Sequence, residues 1–181
     1  MDLTDICRKL NTADLCLRSP ALTDATGMFA MLSDAETVRY WSHQPVTDIS
    51  EAVKKLNENL ESDAQGNSIT WAITMKDDDS MIGHCVLFHF DQDSHRAEIG
   101  FMMNRDYWQR GYMQQVLQAV LEFGIEKLEL HRFEADVDPG NNGSLALLEK
   151  LGFEREGYFR ERWLICGEWK DSVMLALLNP G

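Results

Sequence analysis

The sequence predicts a single domain that mixes helices and strands, of the α/β or α+β class. Segments that alternate like strands occur along the whole chain, and two segments with helical spacing in its second half each lie between strands. A chain of 181 residues with 44% hydrophobic content is large enough for one full core. Because it contains no internal repeat, linker or low-complexity tract, we expect residues 1–181 to form one domain.

The N-terminal half contains two predicted helices and four predicted strands. Thr23 and Asp24 can cap the first helix. Asp48, followed by Glu51 three residues later, resembles a capping box, and the second helix continues at helical spacing until Gly66. The strand-like segments of this half are residues 14–18, 69–75, 81–90 and 96–103. The middle two, separated by KDDDS, are predicted to pair as a β-hairpin.

The C-terminal half adds two helices and more strands. A long helix follows the turn at residues 109–111, because the apolar residues after it fall on one face. The second helix, SLALLEKL at residues 144–151, would end at Gly152. The strand-like segments are residues 132–137, 153–161, 162–165 and 172–178. The sequence CGEW between the last two predicts a hairpin turn.

Charge and composition narrow the possible partners. The net charge of −13 argues against a nucleic-acid backbone and leaves cationic substrates or basic proteins open, although solubility is the simpler explanation of the charge. The five histidines and four cysteines, the first of them Cys7, lack the spacing of a metal site or a disulfide framework. No apolar stretch reaches the roughly 18 to 20 residues of a membrane span, and the N-terminus is too polar for a signal peptide. We therefore expect a cytoplasmic protein without a metal.

The turn before the long helix has the character of an anion site. The sequence NRDYWQRGYMQQVLQAVLEFG, residues 104–124, passes from a polar turn directly into a helix, whose first backbone N–H groups have no partner within it. Gly111 allows close approach of a ligand, and Gln109 and Arg110 add donors, so a diphosphate would fit. A glycine that only makes the turn explains the feature equally well. The chain lacks a Walker loop and a three-glycine fingerprint, which disfavours ATP and NAD.

Three motifs then occur in a specific order. Glu98 lies on the strand before the turn, Trp-x-x-Gly-Tyr at residues 108–112 opens the long helix, and Asn-x-x-Ser at residues 141–144 leads into a helix that ends Lys-Leu-Gly-Phe. Together with LRSP near the start and EWKDSVMLA near the end, they make the chain resemble the GNAT superfamily of acyl-CoA-dependent N-acetyltransferases. Within it, the chain is similar to the RimJ/RimL branch, which acetylates ribosomal-protein N-termini.

The resemblance implies both a fold and a cofactor site. The implied fold is a mixed, mostly antiparallel central sheet with helices on both faces, splayed open between residues 96–103 and 132–137. Acetyl-CoA would be the co-substrate, with its pantetheine in the gap and its diphosphate on the turn. The residues that the resemblance assigns to it are Phe101, Met102 and Met103 on the strand, Trp108, Gln109, Arg110, Gly111, Tyr112 and Met113 at the turn, and Asn141 and Ser144 beside the sulfur.

The sequence departs from the superfamily pattern at three positions. Trp108 and Met113 stand at the ends of the turn motif, where Arg or Gln and Gly or Ala are usual, although Trp is common in the RimJ/RimL branch. Met113 is expected to crowd the turn slightly. Leu148 occupies the position where many members carry a tyrosine general acid, so the usual proton donor is missing.

Acetyl transfer to an amine needs a base, an oxyanion donor and a route to protonate the thiolate. Glu98 is the predicted base, and its alternative role is a surface carboxylate paired with Lys or Arg across the strand. Backbone N–H groups near residues 99–101 are the expected oxyanion donors. Ser144 is the candidate partner for the sulfur, with a helix N-cap as its alternative role, and Tyr158 is a more distant candidate.

The predicted acceptor is the N-terminal α-amine of a protein or peptide, such as a ribosomal protein, and the acidic surface would suit a basic partner. An α-amine loses its proton near pH 7 for roughly 1 kcal/mol, whereas a lysine amine costs about 4.6 kcal/mol, so a weak base suffices. Residues 40–45 and the hairpin near Trp163 are candidates for the acceptor site. A small amine such as a polyamine, an aminoglycoside or an amino acid is an alternative acceptor, a non-catalytic acyl-CoA-binding module is another alternative, and a homodimer is possible.

Overall fold

The computed structural model describes residues 8–179, so Cys7 lies outside the described residues. Its strands are β1 Leu10–Asn11, β2 Leu15–Arg18, β3 Ser68–Met75, β4 Asp78–Asp91, β5 Arg96–Met103, β6 Arg132–Val137, β7 Glu154–Ile165 and β8 Glu168–Leu178. Its α-helices are α1 Ala25–Leu32, α2 Ile49–Ala64, α3 Tyr112–Leu128 and α4 Asn142–Lys150. Short 3-10 turns precede α1 at Leu22–Asp24 and follow β5 at Arg105–Tyr107. Among the described residues, no helix is long and apolar enough to cross a membrane.

The eight strands form one sheet in the order β1-β2-β3-β4-β5-β6-β8-β7. Every neighbouring pair is antiparallel except β5 and β6, which run parallel. Their pairing covers only residues 96–98 against residues 132–134, while β6 continues to pair with β8 up to Val137. The sheet therefore opens between β5 and β6, which confirms the predicted splay.

Helices cover both faces of the sheet, as predicted. One core cluster packs α3 and α4 against one face, with Trp71, Leu117 and Phe133 fully buried in it. A second cluster packs α1 and α2 against the other face, around Met31 and Leu56. Burial on both faces explains why residues 68–74 of β3 are buried without interruption rather than alternating.

Local hydrogen bonds account for the helix boundaries. Asp48 caps α2 by accepting from the Ser50 N–H, while Glu51 accepts from the N–H of Thr47 and not of Asp48, so the capping box is shifted by one residue. Asp24 does not cap α1 with its side chain, because its carboxylate binds the Arg18 guanidinium and the N–H of Ala21.

The C-terminal hairpin differs in one respect from the prediction. Residues 154–165 form one irregular strand rather than two, with a register shift between Phe159 and Trp163 and a left-handed backbone at Glu161 (φ 52°). The turn at Cys166 and Gly167 has positive φ at both residues (51° and 84°), which matches the twist of a tight hairpin.

Candidate active site

A cleft of about 420 Å³ lies where β5 and β6 separate. Its walls come from β5, β6, the start of α4, the segment between α1 and α2, and the β7–β8 hairpin. Four of the side chains assigned to catalysis or to acetyl-CoA line it, namely Glu98, Phe101, Asn141 and Ser144. The splayed sheet thus brings the predicted base and the Asn-x-x-Ser motif to one cavity, although 43 residues separate Glu98 from Asn141 in the chain.

The backbone of β5 supplies free peptide groups to this cleft. The Asn104 N–H donates to the Ile82 carbonyl of β4 at 2.8 Å, and peptide groups alternate in direction along a strand. Phe101 and Met103 therefore direct their peptide groups away from β4, whereas those of Met102 point toward β4. The Met102 side chain is buried in the cluster beneath α1 and α2. Of the three residues assigned to the pantetheine, the alternation favours Phe101 and Met103 and turns Met102 away.

The turn at residues 108–111 is exposed and has an unusual backbone. Gln109 and Gly111 both have left-handed φ values, 59° and 75°. A Cβ added to Gly111 would meet no protein atom within 4 Å, so the space in front of this residue is open. The first N–H groups of α3 have no partner within the helix. This combination of left-handed residues and unpaired N–H groups suits an anion.

Trp108 and Met113 hold the turn in place. The Trp108 indole N–H donates to the Met103 carbonyl at 2.6 Å, which ties the turn to the end of β5. Because the Met103 carbonyl accepts this bond, the N–H of Met103 is the outward-facing group of that residue which Trp108 does not bind. Tyr112 and Met113 are half-buried and pack against the core below α3. Arg110 is exposed, with its guanidinium carbon 5.6 Å from the centre of the Tyr107 ring.

Glu98 has a partner that the sequence did not reveal. Its Oε2 lies 3.0 Å from Nδ1 of His89, and its side chain is 21% exposed while that of His89 is 73% exposed. The expected alternative was a Lys or Arg across the strand, and the observed partner is a histidine of β4. Both residues line the cleft. Sequence analysis missed His89 because the pairing of Phe88 with Glu98, and the register shift that follows it, cannot be inferred from alternation alone.

Asn141 and Ser144 of the Asn-x-x-Ser motif have different roles. The Asn141 side chain accepts from the Ser144 N–H at 3.2 Å, so Asn141 is the N-cap of α4. The alternative role of Ser144 as N-cap is therefore wrong. The Ser144 hydroxyl makes no hydrogen bond to any other residue within 8–179, and it faces the cleft from its wall. Leu148 is fully buried, so its position contributes to the core and not to proton transfer.

The far end of the cleft is aromatic and acidic. Tyr40 and Trp41 line one side. The Tyr40 ring packs so close to Gly140 that a Cβ added to this glycine would lie 3.3 Å from the ring. Trp163 lines the other side and donates its indole N–H to Asp136 at 3.2 Å. Asp136 also pairs with Arg162 at 2.9 Å and accepts from the Ser172 hydroxyl, and sequence analysis did not single it out.

Tyr158 is not placed to donate a proton into the cleft. It lies on β7 outside the cleft lining and its hydroxyl donates to Asp171 at 2.6 Å. That hydrogen bond raises the pKa of Tyr158 above its ordinary value, which makes it a weaker acid. Within residues 8–179, no group of three or more His, Cys, Asp or Glu side chains is arranged to hold a metal ion.

A mixed, mostly antiparallel sheet that opens between β5 and β6, followed by a strand–turn–helix unit, is the architecture of acyl-CoA-dependent acyltransferases. The family model described as an acetyltransferase (GNAT) domain matches residues 14–154, so the chain belongs to this family. It is an N-acetyltransferase that uses acetyl-CoA as co-substrate.

Curated relatives agree on the class of enzyme. The chain is 34% identical over 170 residues to uncharacterized N-acetyltransferase p20 of Bacillus licheniformis, covering 94% of this chain and 96% of the relative. It is 31% identical over 117 residues to the [ribosomal protein uS5]-alanine N-acetyltransferase of Escherichia coli, covering 64% and 60% of the two chains.

Solved structures show the same fold. A GNAT-family acetyltransferase from Bacillus anthracis superposes with a TM-score of 0.83 at 26% identity, covering 94% of this chain and 98% of that one. The spermidine N-acetyltransferase from Vibrio cholerae, solved with CoA and spermine, superposes with a TM-score of 0.78 at 20% identity, covering 91% and 95%. At that identity the second likeness shows the fold alone.

Proposed function

We propose that this protein transfers the acetyl group of acetyl-CoA to the N-terminal α-amine of a protein, such as a ribosomal protein, in the cytoplasm. The observation that carries the proposal is the position of Glu98, mostly buried in the cleft at the point where β5 and β6 separate, with Ser144 of α4 lining the same cleft. The relationship to the uS5-alanine N-acetyltransferase supports the choice of acceptor.

The described residues fit the co-substrate. The outward peptide groups of Phe101 and the outward N–H of Met103 can pair with the pantetheine amides, as an added strand would, whereas the Met103 carbonyl already accepts from Trp108. The open turn from Trp108 to Met113 offers backbone N–H groups to the diphosphate, and Arg110 adds a positive charge. Asn141 and Ser144 then flank the thioester end. Bound acetyl-CoA supplies an activated acyl group, and the protein positions it and handles the protons.

Glu98 acts as the base in this proposal. Removing a proton from an α-amine near pH 7 costs only about 1 kcal/mol. A carboxylate that accepts this proton directly or through one water is therefore a sufficient base. The amine nitrogen then attacks the thioester carbon, and the outward backbone N–H of Phe101, beyond the last β5–β6 pair, stabilises the developing oxyanion. Ser144 is the nearest hydroxyl for the departing sulfur. Helix α4 contains no tyrosine and carries the buried Leu148 at the usual position, so no tyrosine on α4 serves this step.

A small amine is the second candidate acceptor. The cleft is lined by the carboxylates of Glu98, Asp136, Asp138 and Asp171, against the cations Arg162 and Lys170, and both cations are already paired with carboxylates. Excess negative charge suits a polyamine as well as a basic peptide. The net charge of −13 favours a basic protein partner on the same grounds. A homodimer stays a prediction, which light scattering of the purified protein would test.

The assay that decides the acceptor measures thiol release from acetyl-CoA together with the mass of the product. Peptides beginning with Ser, Ala or Met are compared with the same peptides blocked at the α-amine, and with spermidine, an aminoglycoside and free amino acids. Modification of the free α-amine alone supports the proposal. Modification of small amines alone overturns the N-terminal acceptor, and CoA binding without transfer to any amine overturns catalysis itself.

A further inference from the structure

The contact between His89 and Glu98 is the side-chain contact that distinguishes the base from the other carboxylates of the cleft. Nδ1 of His89 and Oε2 of Glu98 are 3.0 Å apart. Within residues 8–179, His89 is the hydrogen-bonding partner of this carboxylate, and Oε1 has none. One oxygen of Glu98 is thus held by a ring nitrogen, and the other is available to a substrate amine.

The backbone is shaped to place His89 there. The register of β4 against β5 shifts between Phe88 and Asp91, so the two strands carry unequal numbers of residues beside Glu98. His89 has a left-handed φ of 51°, a conformation that costs free energy for any residue with a side chain. Its ring packs against that of Phe88, with centroids 4.6 Å apart. The irregularity re-aims the imidazole toward the neighbouring carboxylate instead of leaving it in the regular alternation.

The proton balance of the reaction explains why such a partner matters. An ammonium substrate and acetyl-CoA give an amide, a free thiol and one proton. The N–C bond forms and the C–S bond breaks, one nitrogen proton goes to the base, and a second ends on the thiolate sulfur. The base must therefore be ionised at the start of each turnover, and it returns one proton to solvent at the end. A donor at Oε2 stabilises the ionised carboxylate that begins each cycle.

We infer that His89 is a positioning residue that orients Glu98, an inference that rests on the proposed role of Glu98. The ring donates Nδ1–H to Oε2 and holds the carboxylate with Oε1 toward the amine. The direction in which the base faces the substrate therefore depends on His89.

Other charged groups surround the pair and are fixed in their own contacts. Along the strands, Arg96 of β5 bridges Asp91 of β4 at 3.3 Å and Glu134 of β6 at 2.9 Å. Arg132 of β6 also binds Glu134, at 2.7 Å. Across the cleft stand Asp136, Asp138, Arg162, Lys170 and Asp171. Within the described part of the chain, none of these groups makes a hydrogen bond to Glu98. His89 is therefore the side chain that orients the Glu98 carboxylate.

Two substitutions test the hydrogen bond to Oε2. His89→Asn keeps an amide donor close to the position of Nδ1 and tolerates the left-handed backbone. His89→Ala removes the donor. His131→Asn, at an exposed histidine outside the cleft, is the matched control. Because His89 is largely exposed, we expect all three variants to fold, which thermal unfolding checks.

The readout is kcat/KM at pH 8 with one amine acceptor, taken as the ratio of wild type to variant. His89→Ala should be about fivefold slower, a fraction of the roughly 100-fold or more that a general base contributes. His89→Asn should match wild type within about twofold, because its amide can still donate to Oε2. Equal rates for His89→Ala and wild type, or a loss in His89→Asn as large as that in His89→Ala, would overturn the inference.

A double-mutant cycle with Glu98→Gln shows whether His89 acts through Glu98. The effect of His89→Ala should disappear in the Glu98→Gln background, and an unchanged effect there would overturn the inference. The cycle works with any amine that wild type acetylates, so an unexpected acceptor affects only the proposed substrate. If Glu98→Gln alone has full activity, the base assignment fails and His89 fails with it. A slow Glu98→Gln beside an unaffected His89→Ala overturns the inference alone.

Discussion

Gly111→Ala tests the turn as the diphosphate site. Gly111 has a φ of 75°, and the added methyl would meet no protein atom within 4 Å. The protein therefore loses only the backbone preference, about 1 kcal/mol, or roughly 3 °C in Tm for a chain of this size. Gly66→Ala is a matched control, because Gly66 has a φ of 71°, equally open space, and lies beyond α2 away from the cleft.

The two variants should differ only in binding CoA. If the diphosphate sits against the turn, the methyl occupies its space and at least one charge-assisted hydrogen bond of about 1.5 to 3 kcal/mol is lost. This predicts a Kd for CoA about 10- to 100-fold weaker for Gly111→Ala, by calorimetry, and an unchanged Kd for Gly66→Ala. The KM for acetylpantetheine, which lacks the diphosphate, should be the same in both. Equal CoA affinity in the two variants at equal Tm would refute the reasoning.

Two further predictions concern α4 and the buried histidine. Ser144→Ala should lower kcat about tenfold or less with an unchanged Tm, because Asn141 caps α4, whereas Asn141→Ala should lose about 1 kcal/mol of stability; a large loss of Tm in Ser144→Ala would contradict this. Burial lowers the pKa of His84 to about 4, from an ordinary value of 6.5, and its Nδ1 has no hydrogen-bond partner. Below pH 6.5 the unfolded chain therefore binds more protons at His84 than the folded protein does. The free energy of unfolding keeps its full value above pH 6.5 and falls by up to about 3 kcal/mol as the pH drops toward 4. Urea unfolding at pH 7 and 4.5 should show a smaller loss for His84→Leu than for wild type, and an equal loss would contradict the argument.

Strand bounds beside the cleft were predictable from the sequence. Residues 96–103 and 132–137 coincide with β5 and β6, because each segment carries a clear alternation between polar turns. The opening of the sheet between these two strands was predicted only from the family resemblance. Alternation of polar and apolar residues does not indicate where the pairing of two parallel strands ends. The same limit applies to Met102, because the direction of its peptide group depends on the register of β5 against β4.

The side-chain partners in the site were not predictable for a related reason. His89 reaches Glu98 through a register shift, and Asp136 gathers Trp163, Arg162 and Ser172 from two strands that follow it by more than 25 residues. These contacts depend on tertiary pairing. Ser144 and Asn141 were both found from their motif, but the assignment of the cap to Asn141 needed the backbone geometry of residues 141–144.

Acetylation of an α-amine by wild type and by Glu98→Gln is the most direct measurement of the central claim. The substrate is a peptide beginning with Ser, Ala or Met, the readout is product mass with thiol release, and Glu126→Gln, at an exposed carboxylate on α3, is the control. The proposal predicts acetylation of the free α-amine by wild type and by the control. For Glu98→Gln it predicts a rate roughly 100-fold lower near pH 7, with unchanged CoA affinity. Equal rates for Glu98→Gln and wild type across the pH range, or no acetylation of any α-amine, would contradict it.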